Sequence, residues 1–293
     1  MNAIDRLHPT VMPVYFLAIL LVAMFVSNPV ISLLALLGGF LFCMTQCGLR
    51  EMRAELKFYI PLFLLMALTN PLFSHNGVTP LFFMNGNAVT LEAITYGAAI
   101  ALMVLAVLSW GKGFGRVMTS DKLVYLFGKA APQLALMLSM SLRYIPMLRR
   151  QAKQISRAQK VAGMYSTESY FDRLRSTFRV ISALIGWSLE QAVETSRAMR
   201  ARGYGLKGHT SYSNYHFRRT DALLLTLAAI LLAVVLVGIG MGAVDFAYYP
   251  AISALPHTAL SVAVYTAFGC LSLLPSCIEL GEQIRWNYYR SKI

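Results

Sequence analysis

The chain has 293 residues and a formal net charge of +13, and 57% of its residues are hydrophobic while only 13% are charged. Soluble domains carry about 25% charged residues, so this composition excludes an ordinary soluble globular protein. Because several apolar runs approach the length of about 20 residues that crosses a hydrocarbon core, the sequence predicts an all-α polytopic membrane protein.

Six candidate membrane spans occur along the chain. The first two are joined by Asn28-Pro29, which predicts a tight helical hairpin. The third is short, and its Pro61 and Asn70-Pro71 predict a tilted, broken or partly re-entrant segment. In chain order the spans are Val11 to Ser27, Val30 to Cys47, Phe58 to Phe73, Leu91 to Trp110, Ala222 to Ala243 and Thr258 to Cys277.

The charges of the loops predict the orientation of the spans. Residues 48–57 hold three basic side chains and should be cytoplasmic, whereas residues 74–90 and 244–257 hold no Lys or Arg and should face outward. The carboxy-terminal tail should lie inside because it contains Arg285, Arg290 and Lys292. Six crossings with both termini in the cytoplasm satisfy every loop.

The net charge is concentrated in residues 111–221, which contain 19 Lys+Arg and 6 Asp+Glu, while the rest of the chain contains 7 of each. A positive-inside bias alone would be spread over all cytoplasmic loops. We therefore divide the chain into residues 1–110 with four spans, a basic cytoplasmic domain of residues 111–221, and residues 222–293 with two spans and a tail. The basic domain predicts an acidic partner, which is anionic lipid, an acidic protein groove or nucleic acid.

Two long helices are predicted inside the basic domain. The first begins near Pro132, which suits the first turn of a helix, and Pro146 should kink it or end it. Its end is cationic, with Arg149, Arg150, Lys153, Arg157 and Lys160. The second runs from about Ser169 through Arg200, and its apolar middle could lie against the membrane domain.

Each of these helices finishes as a short basic helix followed by a glycine, which is Gly163 or Gly203. Glycine just past a helix end fits a left-handed cap. Taken alone, each end fits an ordinary amphipathic surface helix. Two such ends in one basic domain favour a docking role, because the second also carries small residues that let a helix enter a partner's groove: Ala192, Ser196, Met199 and Gly203.

Motifs for catalysis and metal binding do not occur. The sequence has no phosphate-binding loop, dinucleotide fingerprint or nucleophile elbow, and its five histidines are scattered. Cys43 and Cys47 share a helix face, but no histidine or carboxylate lies near them, so apolar packing is favoured over a metal pair. We therefore expect no cofactor, no metal site and no catalytic activity.

Three segments of the basic domain resemble a known family. Residues 196–205 read SRAMRARGYG and resemble the second Ala-Arg-Gly signature of the transmembrane T component of energy-coupling factor (ECF) transporters, the CbiQ/EcfT family. Residues 142–146 read LRYIP, like the family's LR[FY]IP segment. Residues 155–163 read ISRAQKVAG and resemble its first signature, usually AQxARG. The likeness extends from the first hairpin to about residue 243, and the last span is an addition to the commoner pattern.

The resemblance implies a non-catalytic coupling subunit. In this family, two cytosolic ABC-type ATPases hydrolyse ATP, and a separate membrane protein, the S component, captures a vitamin or a metal ion such as cobalt or nickel. The T component, in the lipid bilayer, links the ATPases to the S component, so no nucleic acid is expected among its partners. The resemblance also implies a structural role in the coupling domain for Arg143 and Pro146.

The two signatures carry the residues that the resemblance assigns to ATPase coupling. Ala162 replaces the arginine of the first signature, and neither Arg157 nor Lys160 occupies that helix position. Lysine also cannot reproduce the forked contact of a guanidinium with a carboxylate, so two unequal docking sites are predicted. The assigned residues are Arg157, Lys160, Val161, Ala162, Gly163, Arg197, Arg200, Ala201, Arg202 and Gly203.

Two other classes stay open from the residues alone. A membrane-embedded lipid-modifying enzyme needs clustered acidic or histidine side chains, and the carboxylates here are few and spread out. A membrane-tethered scaffold for anionic lipid or nucleic acid is compatible with aromatic residues that alternate with basic ones: Tyr165, Tyr170, Tyr204, Tyr212, Tyr215 and Phe217. Co-purification of ABC-type ATPases distinguishes the coupling subunit from both.

Overall fold

The computed structural model describes residue 4 and residues 7–74, 77–84, 87–163, 170–206 and 215–291. Tyr165, Tyr212, Lys292 and the predicted helix start at Ser169 lie outside the described residues. The chain divides into two compact units. We call Met1–Thr119 together with Tyr215–Ile293 the apolar unit, and Ser120–Asn214 the basic unit.

The apolar unit contains five helices and a two-stranded antiparallel sheet within its described residues. The helices are α1 (Val11–Phe25), α2 (Pro29–Phe73), α3 (Leu91–Val117), α7 (Arg219–Gly240) and α8 (Ala259–Arg290), and the strands are β1 (Pro80–Met84) and β2 (Asn87–Thr90). The basic unit contains α4 (Ser120–Ala130), α5 (Pro132–Val161) and α6 (Tyr170–Ala201).

The helices of the apolar unit confirm the prediction of a polytopic α-helical membrane protein. Five segments of the described chain are long and apolar enough to cross a membrane: Pro29–Gly48, Glu51–Phe73, Leu91–Val117, Arg219–Gly240 and Ala259–Arg290. Helix α1 is apolar but has 15 residues, which reach about 22 Å at about 1.5 Å per residue. Six crossings with both termini in the cytoplasm stay a prediction.

Helix α2 reverses direction at Gly48, where the backbone has φ 75° and ψ 164°. Before Gly48 the helix runs parallel to α3. After Gly48 it runs antiparallel to α3, because Glu55 pairs with Lys112 and Ala67 packs at Gly97. Glycine suits this turn because it adopts a positive φ without steric cost. The alternative that the third span is broken is therefore wrong, since Glu51–Phe73 is one helix that contains both Pro61 and Pro71. A tilted or partly re-entrant course of this helix stays a prediction.

An aromatic cluster forms the centre of the apolar unit. The ring centroid of Phe16 lies 5.6 Å from those of both Phe42 and Trp110, and Phe42 stacks on Trp110 at 5.9 Å. The Trp110 indole N–H donates to the carbonyl oxygen of Ala35 at 2.8 Å. Because lipid is as apolar as these side chains, close packing and hydrogen bonds supply the stability of such a core.

Polar side chains join the helices at both ends of the apolar unit. At one end, Asn28 accepts from the amide of Val30 and donates to the carbonyl of Val244, each at 3.0 Å. At the other end, buried Asp221 accepts from the amide of His8 at 3.2 Å and from the amide of Arg218 at 2.8 Å. These bonds join the segment before α1 to the start of α7, and the start of α2 to the segment after α7.

Two helices extend past the predicted ends of their spans. Helix α3 continues beyond Trp110 to Val117, where Lys112 pairs with Glu55 and Arg116 pairs with Glu51 of α2. Helix α8 continues beyond Cys277 to Arg290. Opposite charges on a neighbouring helix allow charged turns to continue a helix outside the hydrocarbon layer, so the hydropathy pattern underestimates its length.

A β-hairpin occupies the segment that the sequence predicted only as an outward loop. Strands β1 and β2 pair antiparallel, and α3 begins directly after β2. The Thr90 hydroxyl accepts from the amide of Ala93 at 3.3 Å as the N-cap of α3. Buried Glu92 accepts from the hydroxyl of Thr79 at 2.8 Å, so this carboxylate lies in the first turn of α3.

The basic unit differs from its sequence prediction in two respects. Helix α4 was not predicted, because its apolar run is short. Helix α5 also continues through Pro146 to Val161, so the alternative that Pro146 ends this helix is wrong. Proline removes one backbone donor and its hydrogen bond, and the long helical segments on both sides tolerate that loss.

Candidate functional site

Helix α6 ends in a Schellman motif. The amide of Tyr204 donates to the carbonyl oxygen of Met199, and the amide of Gly203 donates to that of Arg200, both at 3.0 Å. Gly203 has a φ of +81°, which an L side chain adopts only with strain. This cap fixes Arg202 as the last residue before the chain leaves the helix.

Helix α5 also ends at a glycine with positive φ, and its described residues repeat the hydrogen bond from the glycine amide. The amide of Ala162 donates to the carbonyl oxygen of Ala158 at 2.9 Å, and the amide of Gly163 donates to that of Lys160 at 3.1 Å. Gly163 has a φ of +69°, and apart from its chain neighbours no atom of the described residues lies within 4 Å of where its Cβ would be. The glycine caps that the sequence predicted at both ends are therefore confirmed.

The two helix ends repeat one sequence when they are aligned on their capping glycines. Residues 156–163 read SRAQKVAG, and residues 196–203 read SRAMRARG. In this alignment Arg157 corresponds to Arg197, and Lys160 corresponds to Arg200. The single difference in charge is at Ala162, which occupies the position of Arg202. This repeat is visible in the sequence. The two capping glycines show that the aligned residues occupy equivalent positions at the two helix ends.

The residues that were predicted for ATPase coupling lie on the surface of the basic unit. Gly203 is half-buried, and Val161, a large apolar side chain, is 91% exposed. The exposed members of the set are Arg157, Lys160, Val161, Ala162, Gly163, Arg197, Arg200, Ala201 and Arg202.

Helices α5 and α6 pack antiparallel, so their carboxy-terminal ends lie apart. The first half of α5 lies beside the end of α6, where the Tyr144 and Thr195 hydroxyl oxygens are 2.6 Å apart. The second half of α5 lies beside the start of α6, where Lys153 and Val180 line a common groove. Eighteen residues of α5 separate Arg143, beside the α6 end, from Val161. At about 1.5 Å per residue, the two ends are about 27 Å apart along α5.

A groove of about 470 Å³ between α5 and α6 brings Arg143 and Arg202 together. Both arginines are exposed, and neither guanidinium has a hydrogen bond or an ion pair within the described part of the chain. Pro146 is exposed and does not line this groove. The structural role predicted for Arg143 and Pro146 stays a prediction, and the sequence did not indicate that Arg143 shares a groove with Arg202.

Metal-ligating side chains do not gather anywhere in the described residues, since no three His, Cys, Asp or Glu lie where they could hold an ion together. Cys43 and Cys47 are both free thiols. The Cys43 thiol donates to the carbonyl oxygen of Ser109 at 3.3 Å, which joins α2 to α3. This contact is a packing contact between two helices.

The fold and these helix ends define a class of protein: a polytopic α-helical membrane protein with a basic unit that exposes two glycine-capped basic tips. The family model CbiQ, described as cobalt transport protein, matches residues 1–212, which include both tips. The chain therefore belongs to the CbiQ family of transmembrane T components, as the motifs of its basic unit predicted.

Several relatives are named energy-coupling factor transporter transmembrane protein EcfT. The protein from Listeria innocua is 34% identical over 121 residues, which cover 41% of this chain and 44% of that protein. The protein from Bacillus selenitireducens is 31% identical over 157 residues, which cover 53% and 58%. The chain thus spans about half the length of these two relatives. The protein from Streptococcus thermophilus is 27% identical, with 75% of this chain and 88% of that protein covered.

Proposed function

We propose that this chain is the transmembrane coupling subunit of an ECF-type ABC importer. It links ATP hydrolysis by two cytosolic ABC-type ATPases to the movement of an S component, in the uptake of a vitamin or of a transition metal ion such as cobalt or nickel. The observation that carries this proposal is the repeated basic helix end. Two exposed tips of like sequence and like cap provide one docking site for each of two ATPase subunits.

Arg202 supplies the strongest contact at the α6 tip. Its guanidinium can form a forked, charge-assisted pair with a carboxylate in the ATPase groove. The Schellman cap holds the backbone on both sides of Arg202, so little ordering is needed when the partner binds. Ala201 and Gly203 on either side of Arg202 are small, which lets the tip enter the groove deeply.

The helices that carry the tips have the dimensions of rigid connectors. Helix α5 has 30 residues and α6 has 32, which correspond to about 45 Å and about 48 Å. The Tyr144–Thr195 hydrogen bond joins them near one tip. Movement of an ATPase at one tip is therefore carried along both helices. The chain itself is non-catalytic in this proposal, since its partners bind and hydrolyse ATP.

The charge distribution supports the location of this activity. The +13 charge of residues 111–221 favours the cytoplasmic side for that domain and both tips, and in this proposal both termini lie on the same side as the ATPases. The lipid bilayer surrounds the apolar unit, and nucleic acid is not a partner.

Purification of the tagged full-length chain from its native membrane tests this proposal. We expect ABC-type ATPase subunits and a small polytopic membrane protein to co-purify at moderate salt. Recovery of anionic lipid or nucleic acid that is lost as salt rises, with no ATPase at any salt concentration, would instead identify a basic scaffold.

A further inference from the structure

Among the residues that the structure describes, the groove between α5 and α6 has two unpaired guanidiniums and no carboxylate. Arg143 enters it from α5 and Arg202 from α6, and none of its lining residues is Asp or Glu. Both guanidiniums are exposed to solvent, and each can form charge-assisted hydrogen bonds with a carboxylate. An acidic group of a partner is therefore the complementary occupant of this groove.

We propose that Arg143 and Arg202 together bind one acidic side chain of the ATPase subunit that docks at the α6 tip. This inference rests on the proposed function and assigns Arg143, from the LRYIP segment, to the partner interface. Two guanidiniums offer forked donors to both oxygens of one carboxylate, which is a more specific site than one arginine provides.

The walls of the groove indicate what accompanies the carboxylate. Met140 and Met147 of α5 and Met199 of α6 line it, and a volume of about 470 Å³ exceeds what one acidic side chain fills. Methionine side chains are unbranched and adapt to the shape of a bound group. The partner segment therefore presents an apolar side chain beside its acidic residue, and this apolar side chain contacts the methionines.

The floor of the groove is held in place before the partner arrives. Tyr144 and Thr195, which share the 2.6 Å hydrogen bond between α5 and α6, are both lining residues. The cap at Gly203 fixes the backbone next to Arg202. A site that is already ordered loses less conformational entropy on binding.

The groove near the α5 tip has a different composition. Lys153, Arg157 and Lys160 line it together with Thr177 and Val180, and Ala162 stands where an equivalent of Arg202 would be. Of the cations in this groove only Arg157 can give a forked contact, because lysine is a point charge on a flexible stem. The paired-arginine site is therefore specific to the α6 tip and to one of the two ATPase positions.

A double-mutant cycle tests the shared carboxylate. The full-length chain in nanodiscs is titrated with the ATPase subunits that co-purify with it, as wild type, Arg143→Ala, Arg202→Ala and the double variant. We expect each single change to weaken binding at least about tenfold, and the double change to weaken it by clearly less than the product, because both arginines contact one group. The control is Arg149→Ala, an exposed arginine of α5 outside the groove, with an expected change below about threefold.

Thiol labelling tests whether the partner enters the groove. Ser139 lines it, so Ser139→Cys in a chain whose four native cysteines are replaced should react with maleimide more slowly once the ATPases are bound. This protection reports whether the partner covers the groove, and the double-mutant cycle reports whether Arg143 contacts it.

The possible failures are distinguishable. If wild type binds no ATPase, the proposed function is wrong. If Arg202→Ala weakens binding while Arg143→Ala binds like wild type and Ser139→Cys is not protected, only the shared site is wrong. If Arg143→Ala changes binding only in nanodiscs that contain anionic lipid, a lipid headgroup occupies the groove, and the proposal is overturned.

Discussion

The hydroxyl oxygens of Tyr144 and Thr195 lie 2.6 Å apart and form a side-chain hydrogen bond between the middle of α5 and the last turns of α6. These residues lie 51 positions apart in sequence, so their bond depends on the antiparallel packing of the two helices. The tip that carries Arg202 follows Thr195 by two turns of α6. Whatever weakens this bond should therefore loosen the Arg202 tip.

Tyr144→Phe tests the bond directly. The change removes the hydroxyl group and keeps the ring, so we expect a loss of about 0.5–1.5 kcal/mol in the local stability of α5 and α6. Amide hydrogen exchange of the full-length protein in detergent measures this loss as faster exchange around both residues. The control is Tyr170→Phe, since Tyr170 is 78% exposed and its hydroxyl group has no hydrogen bond within the described residues. Equal exchange in the two variants would contradict a structural role for the bond.

Ala162→Arg should strengthen docking at the α5 tip. Ala162 occupies the position of Arg202 in the repeat and is exposed, so the new side chain meets no steric obstacle. We expect tighter ATPase association by about 1–3 kcal/mol, because one more charge-assisted contact forms. Titration of the chain in nanodiscs measures the change in Kd.

The matched control for this gain is Ala158→Arg. It adds the same charge to an exposed position of the same helix, one turn earlier. An equal gain from both variants would show that general electrostatic attraction, and not the position of Ala162, strengthens binding.

Gly203→Ala should destabilise the end of α6. A Cβ at φ +81° costs roughly 1–2 kcal/mol and would lie 3.3 Å from Leu206 Cδ1. We expect faster amide exchange after Met199 and weaker ATPase association. Gly186→Ala is the control, because Gly186 lies inside α6 with open space around it, and alanine there should raise helix stability by roughly 0.5–1 kcal/mol. Unchanged exchange in Gly203→Ala would contradict the role of the cap.

Gly113→Ala should destabilise the apolar unit. A Cβ at Gly113 would lie 2.7 Å from the Phe42 ring, inside the aromatic cluster. Overpacking of this kind costs about 1–3 kcal/mol, which thermal unfolding in detergent detects as a lower Tm. Gly115, on the same helix, has no atom within 4 Å of its Cβ position, so Gly115→Ala should not lower the Tm. Equal Tm values for the two variants would show that the close contact of α2 with α3 is not needed.

The sequence predicted the parts of the fold that depend on local patterns. Hydropathy identified the apolar helices, and the glycines after the basic helix ends identified both caps. Hydropathy did not identify the ends of α3 and α8. In α3 the reason is that Lys112 and Arg116 continue the helix by pairing with carboxylates of α2, which lie 57 and 65 residues away in the sequence. The sequence predicted a reversal in the loop of residues 48–57, but not that the turn is confined to Gly48 or that the helix resumes at Glu51, since an isolated glycine in an apolar run has the same pattern whether it bends the chain or not.

The part of the candidate site that depends on local sequence patterns was also predictable. Arg202 and the missing arginine at Ala162 follow from linear motifs. The groove that joins Arg143 to Arg202, and the Tyr144–Thr195 bond at its base, follow from the antiparallel packing of α5 and α6. A sequence pattern does not determine which turns of two antiparallel helices face each other when both helices keep large apolar side chains exposed.

The central claim, that the α6 tip holds an ATPase through Arg202, is tested most directly by the affinity of the Arg202→Ala chain for its ATPase subunits. The account predicts an association weaker than that of wild type by roughly 2–5 kcal/mol, together with loss of ATP-dependent uptake, because a desolvated carboxylate loses its partner. Arg179→Ala, an exposed arginine of the same helix far from the tip, should bind like wild type. Wild-type affinity and uptake in the Arg202→Ala chain would contradict the account.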